Sequence, residues 1–197
     1  MLYKSIDSRF LKQFFRNIIY QSINNHSFAK SPNHQISMTP EGLKRVAVFC
    51  IIKSGDQYLL LKRAKMPNQG KFVPVGGKID PYESPIQAVI RETMEETGIA
   101  ISNPKFCGIL TETSPVNYNW VSFIYCIEIP WQPAPDCDEG ELFWIHADEL
   151  KDLDTPPTDW HIYQYVDEGK PFVFSAIYDA NLVMTSLVDE LSGHAIL

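Results

Sequence analysis

Residues 76–99, GGKIDPYESPIQAVIRETMEETGI, constrain this chain more than any other stretch. Two glycines permit a tight turn, and a short loop then leads into a helix. Ser84 is a good N-cap, Pro85 suits the first helical position, and Gln87 three residues after the serine completes a capping box. Gly98 can turn left-handed and stop the helix, so the spacing predicts about fourteen helical residues. Ile86, Val89, Ile90 and Thr93 recur at three- and four-residue steps and are expected to form its buried stripe. Glu92, Glu95 and Glu96 stand at i, i+3 and i+4, which puts three carboxylates on one side of the helix. Like charges at this spacing repel by about 0.2–0.5 kcal/mol per pair in water. Arg91 can pair with Glu95 one turn on, but one guanidinium does not neutralise three acids. A hard oxygen cluster of this kind suits Mg²⁺ or Mn²⁺, and the plain alternative is a solvated acidic face.

The wider pattern carries more. Gly77, five residues, Glu83, seven residues, then Arg91-Glu92-Thr93-Met94-Glu95-Glu96-Thr97-Gly98-Ile99 resembles the signature of the Nudix hydrolases at every charged and glycine position. Thr93 stands where that family usually has a bulkier aliphatic residue, and Tyr82 stands before Glu83 where a glycine is common. Neither departure removes a metal ligand. The resemblance implies an α/β fold, the α/β/α sandwich with a mixed sheet, and hydrolysis of a nucleoside diphosphate linked to another moiety.

Charge divides the chain in two. Residues 1–42 carry +3 and residues 43–197 carry −10. An acidic domain repels nucleic acid and free phosphates unless cations intervene, which points to a small nucleotide reached through metal and away from a nucleic acid polymer. No apolar run approaches the length of a membrane span. The four cysteines, Cys50, Cys107, Cys126 and Cys137, lack C-x-x-C spacing, and two lie in apolar strand-like runs. They indicate a reducing, cytoplasmic setting without zinc.

Residues 1–42 read as an N-terminal extension, an amphipathic helix with a basic face followed by a polar linker, and 43–197 as the Nudix-like domain. The helix could dock on its own domain or on a second subunit of a homodimer, lie on a membrane surface, or act as a targeting segment. Runs 44–53 and 57–63, joined by Ser54-Gly55-Asp56, predict a β-hairpin. Residues 72–75 read as a short strand feeding the glycine turn. Strands are expected at 105–113, 120–129 and 142–145, a short helix from Ala147, a helix over 158–168, and terminal strands at 171–176 and 181–187. Arg63, Lys65, Lys71 and Lys78 flank the acidic cluster in sequence and are candidate phosphate contacts.

By the resemblance, the metal ligands are Glu92, Glu95 and Glu96 with the carbonyl of Gly76. An acid on the loop before the Trp-bearing strand, Glu139 or Glu141, reaches the same site. A water activated there attacks the diphosphate, with Glu95 or Glu139 as general base. Arg91 orients the glutamates and Glu83 supports it. The C-terminal region is similar to the MutT-type branch that hydrolyses oxidised purine nucleoside triphosphates. That likeness points to Asp159, with Trp160, as base-reading residues, although Val73 stands where some of those enzymes place an asparagine. The alternatives are an ADP-ribose or nucleotide-sugar pyrophosphatase, and a nucleotide-binding module without turnover.

Overall fold

Alternation along the first two strands sets the layers. In the computed structural model, which describes residues 42–197, strand β1 (Arg45–Ser54) and strand β2 (Gln57–Arg63) form the expected antiparallel hairpin. Successive side chains of a strand point to opposite faces. Val48, Cys50, Ile52, Leu59 and Leu61 therefore share a buried cluster with Ala88 and Val89 of helix α1 (Pro85–Thr97). Ile51, Tyr58 and Leu60 face the other way, into a cluster with Ile162 and Tyr163 of helix α2 (Asp159–Asp167). The result is the sandwich of helix, sheet and helix. The amphipathic helix expected before residue 42 lies outside the described residues.

The remaining strands are β3 (Phe72–Val73), β4 (Val75–Lys78), β5 (Lys105–Thr113), β6 (Trp120–Glu128), β7 (Asp136–Cys137), β8 (Gly140–His146), β9 (Phe172–Tyr178), β10 (Met184–Asp189) and β11 (His194–Ala195). Their order is β11-β10-β9-β5-β6-β1-β2-β8-β7, with β3 on β2 and β4 on β1. The sheet is mixed: β1–β6 and β5–β9 are parallel, and the other pairs are antiparallel. Residues 147–152 form a 3-10 helix, its start capped by the His146 ring accepting from Asp148 N–H.

Two local expectations need correction. The stretch 72–75 is not one strand, because Pro74 has no N–H for a ladder, and the chain changes partner there from β2 to β1. Nor does Ile86 belong to the buried stripe of α1: it is 42% exposed, and the buried positions are Ala88, Val89, Thr93, Glu96 and Thr97. Anchoring of Glu96 to the glycine turn, described below, rotates that face of the helix onto the sheet.

Candidate active site

The site is built where the glycine turn meets α1. Strand β4 runs antiparallel to β1, with Gly76 opposite Phe49 and Gly77 opposite Val48. A Cβ on Gly76 would lie 2.1 Å from the Val48 carbonyl oxygen, and one on Gly77 would lie 2.6 Å from the Glu92 carboxylate. Only residues without side chains let the helix carboxylates come this close to the strand. At the other end of the loop, Tyr82 has φ +71° and adopts the left-handed backbone that glycine would take there. The helix then starts as the sequence predicts: Ser84 N–H donates to Gln87 Oε1 at 2.9 Å, and Gly98, with φ +70°, ends it.

Arg91 is the hub. Its Nε and Nη2 each donate to Glu83 at 2.9 Å, a two-pronged pair. Nη1 donates to Glu92 at 2.8 Å and to Glu95 at 3.2 Å, and Nη2 also reaches the Lys78 carbonyl at 3.1 Å. The Glu83 hydrogen bond, before the attraction of Glu92, holds the guanidinium firmly protonated. Burial works against the Glu83 charge, but Arg91 and the Asp80 N–H bring its carboxyl below the usual value.

Glu92 and Glu96 both shift the opposite way from Glu83. Burial pushes the Glu92 carboxyl up despite Arg91, and the charges of Glu95 and Glu83 add to the effect. Glu96 is 9% exposed, and its Oε2 accepts from Gly76 N–H at 2.9 Å. Burial pushes it up to about 8, a shift that the Gly76 bond opposes and the charges of Glu139 and Glu92 reinforce. Of the two loop acids, Glu139 is thus the one whose charge Glu96 feels. Its Oε2 is 3.2 Å from Arg63 Nη1, and Arg63 also donates to the Pro67 carbonyl at 2.9 Å. Glu141 is exposed on β8, opposite Lys62 and Asp136.

Among the described residues, no three acidic, histidine or cysteine side chains form a ready-made metal cage. Mg²⁺ does not require one, since it is usually held by one or two carboxylates, with waters and substrate phosphates completing its shell. Two partly or fully buried carboxylates raised by burial, next to a third and fourth acid, form a donor set whose charged forms a divalent cation would stabilise. The residues fit the metal.

Other predicted contacts are dispersed. Lys78 is exposed on β4, whereas Lys71 binds Asp154 at 2.6 Å and the Thr155 carbonyl at 3.1 Å. Val73 is core, packed with α1. Asp159 is buried at the start of α2, whose packing cluster lies on the opposite face of the sheet from that of α1. Thr158 Oγ1 donates to its Oδ1 at 3.3 Å, while Oδ2 has no partner among the described residues. Burial, then the charge of Glu112, raises the Asp159 carboxyl well above its ordinary range.

Sequence reasoning passed over Glu112. It is 5% exposed and accepts from Tyr178 Oη at 2.9 Å and Tyr118 Oη at 3.2 Å. Burial raises its carboxyl too. The available signal was parity, since Leu110 and Glu112 share one face of β5 and Leu110 is core.

A family model described as the NUDIX domain matches residues 43–166. The chain belongs to the Nudix hydrolases. It is 32% identical over 126 residues to an uncharacterised Nudix hydrolase, YvcI, of Bacillus subtilis, covering 61% of this chain and 78% of that protein. It is 29% identical to the putative 8-oxo-dGTP diphosphatase YtkD of the same organism, covering 49% of this chain and 51% of that one. Beyond YvcI, then, the chain spans about half the length of curated relatives such as YtkD. A mutator MutT protein of Bacillus halodurans superposes with a TM-score of 0.64 at 26% identity, covering 75% of this chain and 98% of that one. The acids gathered around Arg91 all lie within the matched residues.

Proposed function

We propose that this Nudix protein hydrolyses a nucleoside triphosphate, oxidised purine forms included, to a monophosphate and pyrophosphate. The observation that carries the reading is the contact set of one residue: Arg91 binds Glu83, Glu92 and Glu95, and the neighbouring Glu96 lies within electrostatic reach of Glu139. Glu92, Glu95 and Glu96, with the Gly76 carbonyl, would hold Mg²⁺ or Mn²⁺. When bound, the ion supplies a Lewis acid that neutralises diphosphate oxygens and makes water easier to deprotonate. Glu83 fixes Arg91, and Arg91 fixes the carboxylates of Glu92 and Glu95, so each acid meets the substrate already oriented.

Glu139, paired with Arg63 and within electrostatic reach of Glu96, is the general base of this reading, with Glu95 the other acid that could take the proton. Arg63 and Lys78 offer positive charge to the phosphates. The loop from Arg63 to Lys71 joins the two regions: Arg63 meets Glu139, and the Lys71 charge is felt by Asp159. A nucleotide lying along that loop would present its base toward Asp159 and Trp160. The likeness to YtkD, named as a putative 8-oxo-dGTP diphosphatase, supports a triphosphate over a nucleotide sugar. The acidic domain and the lack of a C-x-x-C pair fit a cytoplasmic nucleotide pool.

The test is a panel of canonical and oxidised nucleoside triphosphates, ADP-ribose and nucleotide sugars incubated with Mg²⁺ and analysed by anion-exchange chromatography. Monophosphate plus pyrophosphate from a triphosphate is expected. Release of AMP from ADP-ribose with triphosphates intact would replace this reading with that of a sugar-nucleotide pyrophosphatase. Binding without any product would replace it with that of a sensor module.

A further inference from the structure

Two cysteines meet on the face of the sheet away from the carboxylate ridge. Strand β5 carries a bulge: Lys105 pairs with Cys126 and Phe106 with Tyr125, but the next partner of β6 is Gly108, opposite Ile124. Cys107 is the extra residue. Two positions after Lys105, it shares that residue's face on the α2 side of the sheet, where Cys107 and Cys126 join the same apolar cluster. Cys50 packs in the other cluster, under α1.

The pair is not sealed in. Cys107 lines a cavity of about 190 Å³ together with Lys105, Tyr165, Val166, Lys170 and Pro171. The cavity is electropositive at its rim, although the Lys170 ammonium lies 3.9 Å from Glu168 as well as 4.3 Å over the Tyr165 ring. Cys107 Sγ can donate to the Lys105 carbonyl at 3.4 Å. Cys126 stands opposite Lys105, one diagonal step from Cys107, and its thiol, followed by the charge of Lys105, favours the Cys107 thiolate over burial. The other thiols lack this help: burial pushes Cys50 up to about 12, and burial together with the charges of Glu96 and Glu139 raises Cys137. Cys107 is only 8% exposed, and the cavity with its two lysines is the route by which a small oxidant reaches its sulfur in an electropositive setting.

The geometry points to Cys107 and Cys126 as a peroxide-oxidised dithiol, with Cys107 the attacking sulfur and Cys126 the resolving one. In the first step the Cys107 thiolate attacks the terminal oxygen of a small hydroperoxide. An S–O bond forms as the O–O bond breaks, sulfur is oxidised to the sulfenic acid, and the peroxide leaves as alcohol or water. In the second step Cys126 sulfur attacks Cys107 sulfur. An S–S bond forms, the S–O bond breaks, and the hydroxide leaves as water with the proton of Cys126. Two thiols and one hydroperoxide thus give one disulfide, one alcohol or water, and one water. A transient disulfide of this type is compatible with a reducing compartment, where a thiol reductant reverses it.

The experiment exposes the full chain to one equivalent of hydrogen peroxide, denatures it in acid and maps the cysteine peptides by mass. The expected result is a Cys107–Cys126 linked peptide, two hydrogens lighter than the sum of its parts, restored by dithiothreitol. Cys107 should be consumed at least about tenfold faster than Cys137, the half-buried thiol of β7, which burial and the charges of Glu96 and Glu139 hold protonated. In Cys126→Ser, dimedone should label Cys107; in Cys107→Ser, neither linkage nor label should form. Circular dichroism checks that both variants fold, and the wild-type peptide map decides the matter if they do not. Oxidation first at Cys137 or Cys50, dimedone labelling of Cys126 ahead of Cys107, or disulfides only between molecules would overturn the assignment.

Discussion

The backbone N–H of Gly76 donates to Glu96 Oε2 across 2.9 Å and so ties the glycine turn to the last turn of α1. A carboxylate in a buried stripe would ordinarily be a liability. Here it fixes the strand against the helix while its carboxyl feels the charges of Glu139 and Glu92. The stability of the turn and the readiness of the acid cluster therefore depend on one side chain.

Replacing that acid separates the two roles. Glu96→Gln keeps an oxygen to accept from Gly76 but removes the ionised form that a divalent cation would stabilise, so the fold should persist while turnover falls by about 100-fold or more. Circular dichroism and kcat on the best substrate of the panel measure both. In the wild type, Mg²⁺ should also raise Tm, and this rise should shrink in the variant. Near-normal turnover would remove Glu96 from the site.

Arg91→Lys should be far from conservative. Lysine cannot make the two-pronged contact to Glu83 while reaching Glu92 and Glu95. The half-buried position discounts the loss to about 1–3 kcal/mol in urea denaturation. A larger proportional effect on kcat than on KM is expected, because the residue orients acids and does not grip substrate. A lysine variant as stable and as fast as the parent would contradict the hub arrangement.

The two glycines should answer differently to alanine. At Gly76 the new methyl meets the fixed backbone oxygen of Val48, and the fold should lose about 1–3 kcal/mol or more. At Gly77 it meets the Glu92 carboxylate, the end of a flexible side chain that can swing aside. Gly77→Ala should therefore leave Tm within a few degrees and weaken Mg²⁺ activation, read as a raised metal concentration at half-maximal rate. Equal loss of Tm in both would show that Glu92 is held more rigidly than this.

Asp159 offers a test in pH. Its carboxyl is raised by burial and by Glu112, so the folded chain keeps a proton that the unfolded chain has lost. The native state then binds more protons than the unfolded one from about pH 4 up to the raised value, and stability should fall as pH rises through that window. Asp159→Asn removes the titration and should raise Tm at neutral pH while flattening its decline. If Asp159 also reads the base, the same variant raises KM, and gains in stability at the expense of binding. A Tm that drops at neutral pH would mean that the ionised acid is stabilising after all.

Much of this was legible in local sequence. Helix α1, thirteen residues long, was bounded at both ends by Ser84, Pro85, Gln87 and Gly98, because caps act over three or four neighbours and need nothing distant. The hairpin of β1 and β2 followed from Ser54-Gly55-Asp56 and two apolar runs for the same reason. The contact of Arg91 with Glu95 is one helical turn long and could be read from spacing alone.

What the tertiary structure decided lies between elements. Spacing placed Glu92, Glu95 and Glu96 on one side, but only the approach of β4 made Glu96 a buried, raised acid and left Glu95 exposed. Pattern left Glu139 and Glu141 equal, and the register of β8 against β2 set them apart. No count along the chain could bring Cys107 to Cys126, because the register that sets Lys105 opposite Cys126 joins two separate strands. Caps and turns depend on neighbours within a few residues and are written into the sequence. Burial and charge depend on which distant strand arrives alongside, and that is settled only when the sheet closes.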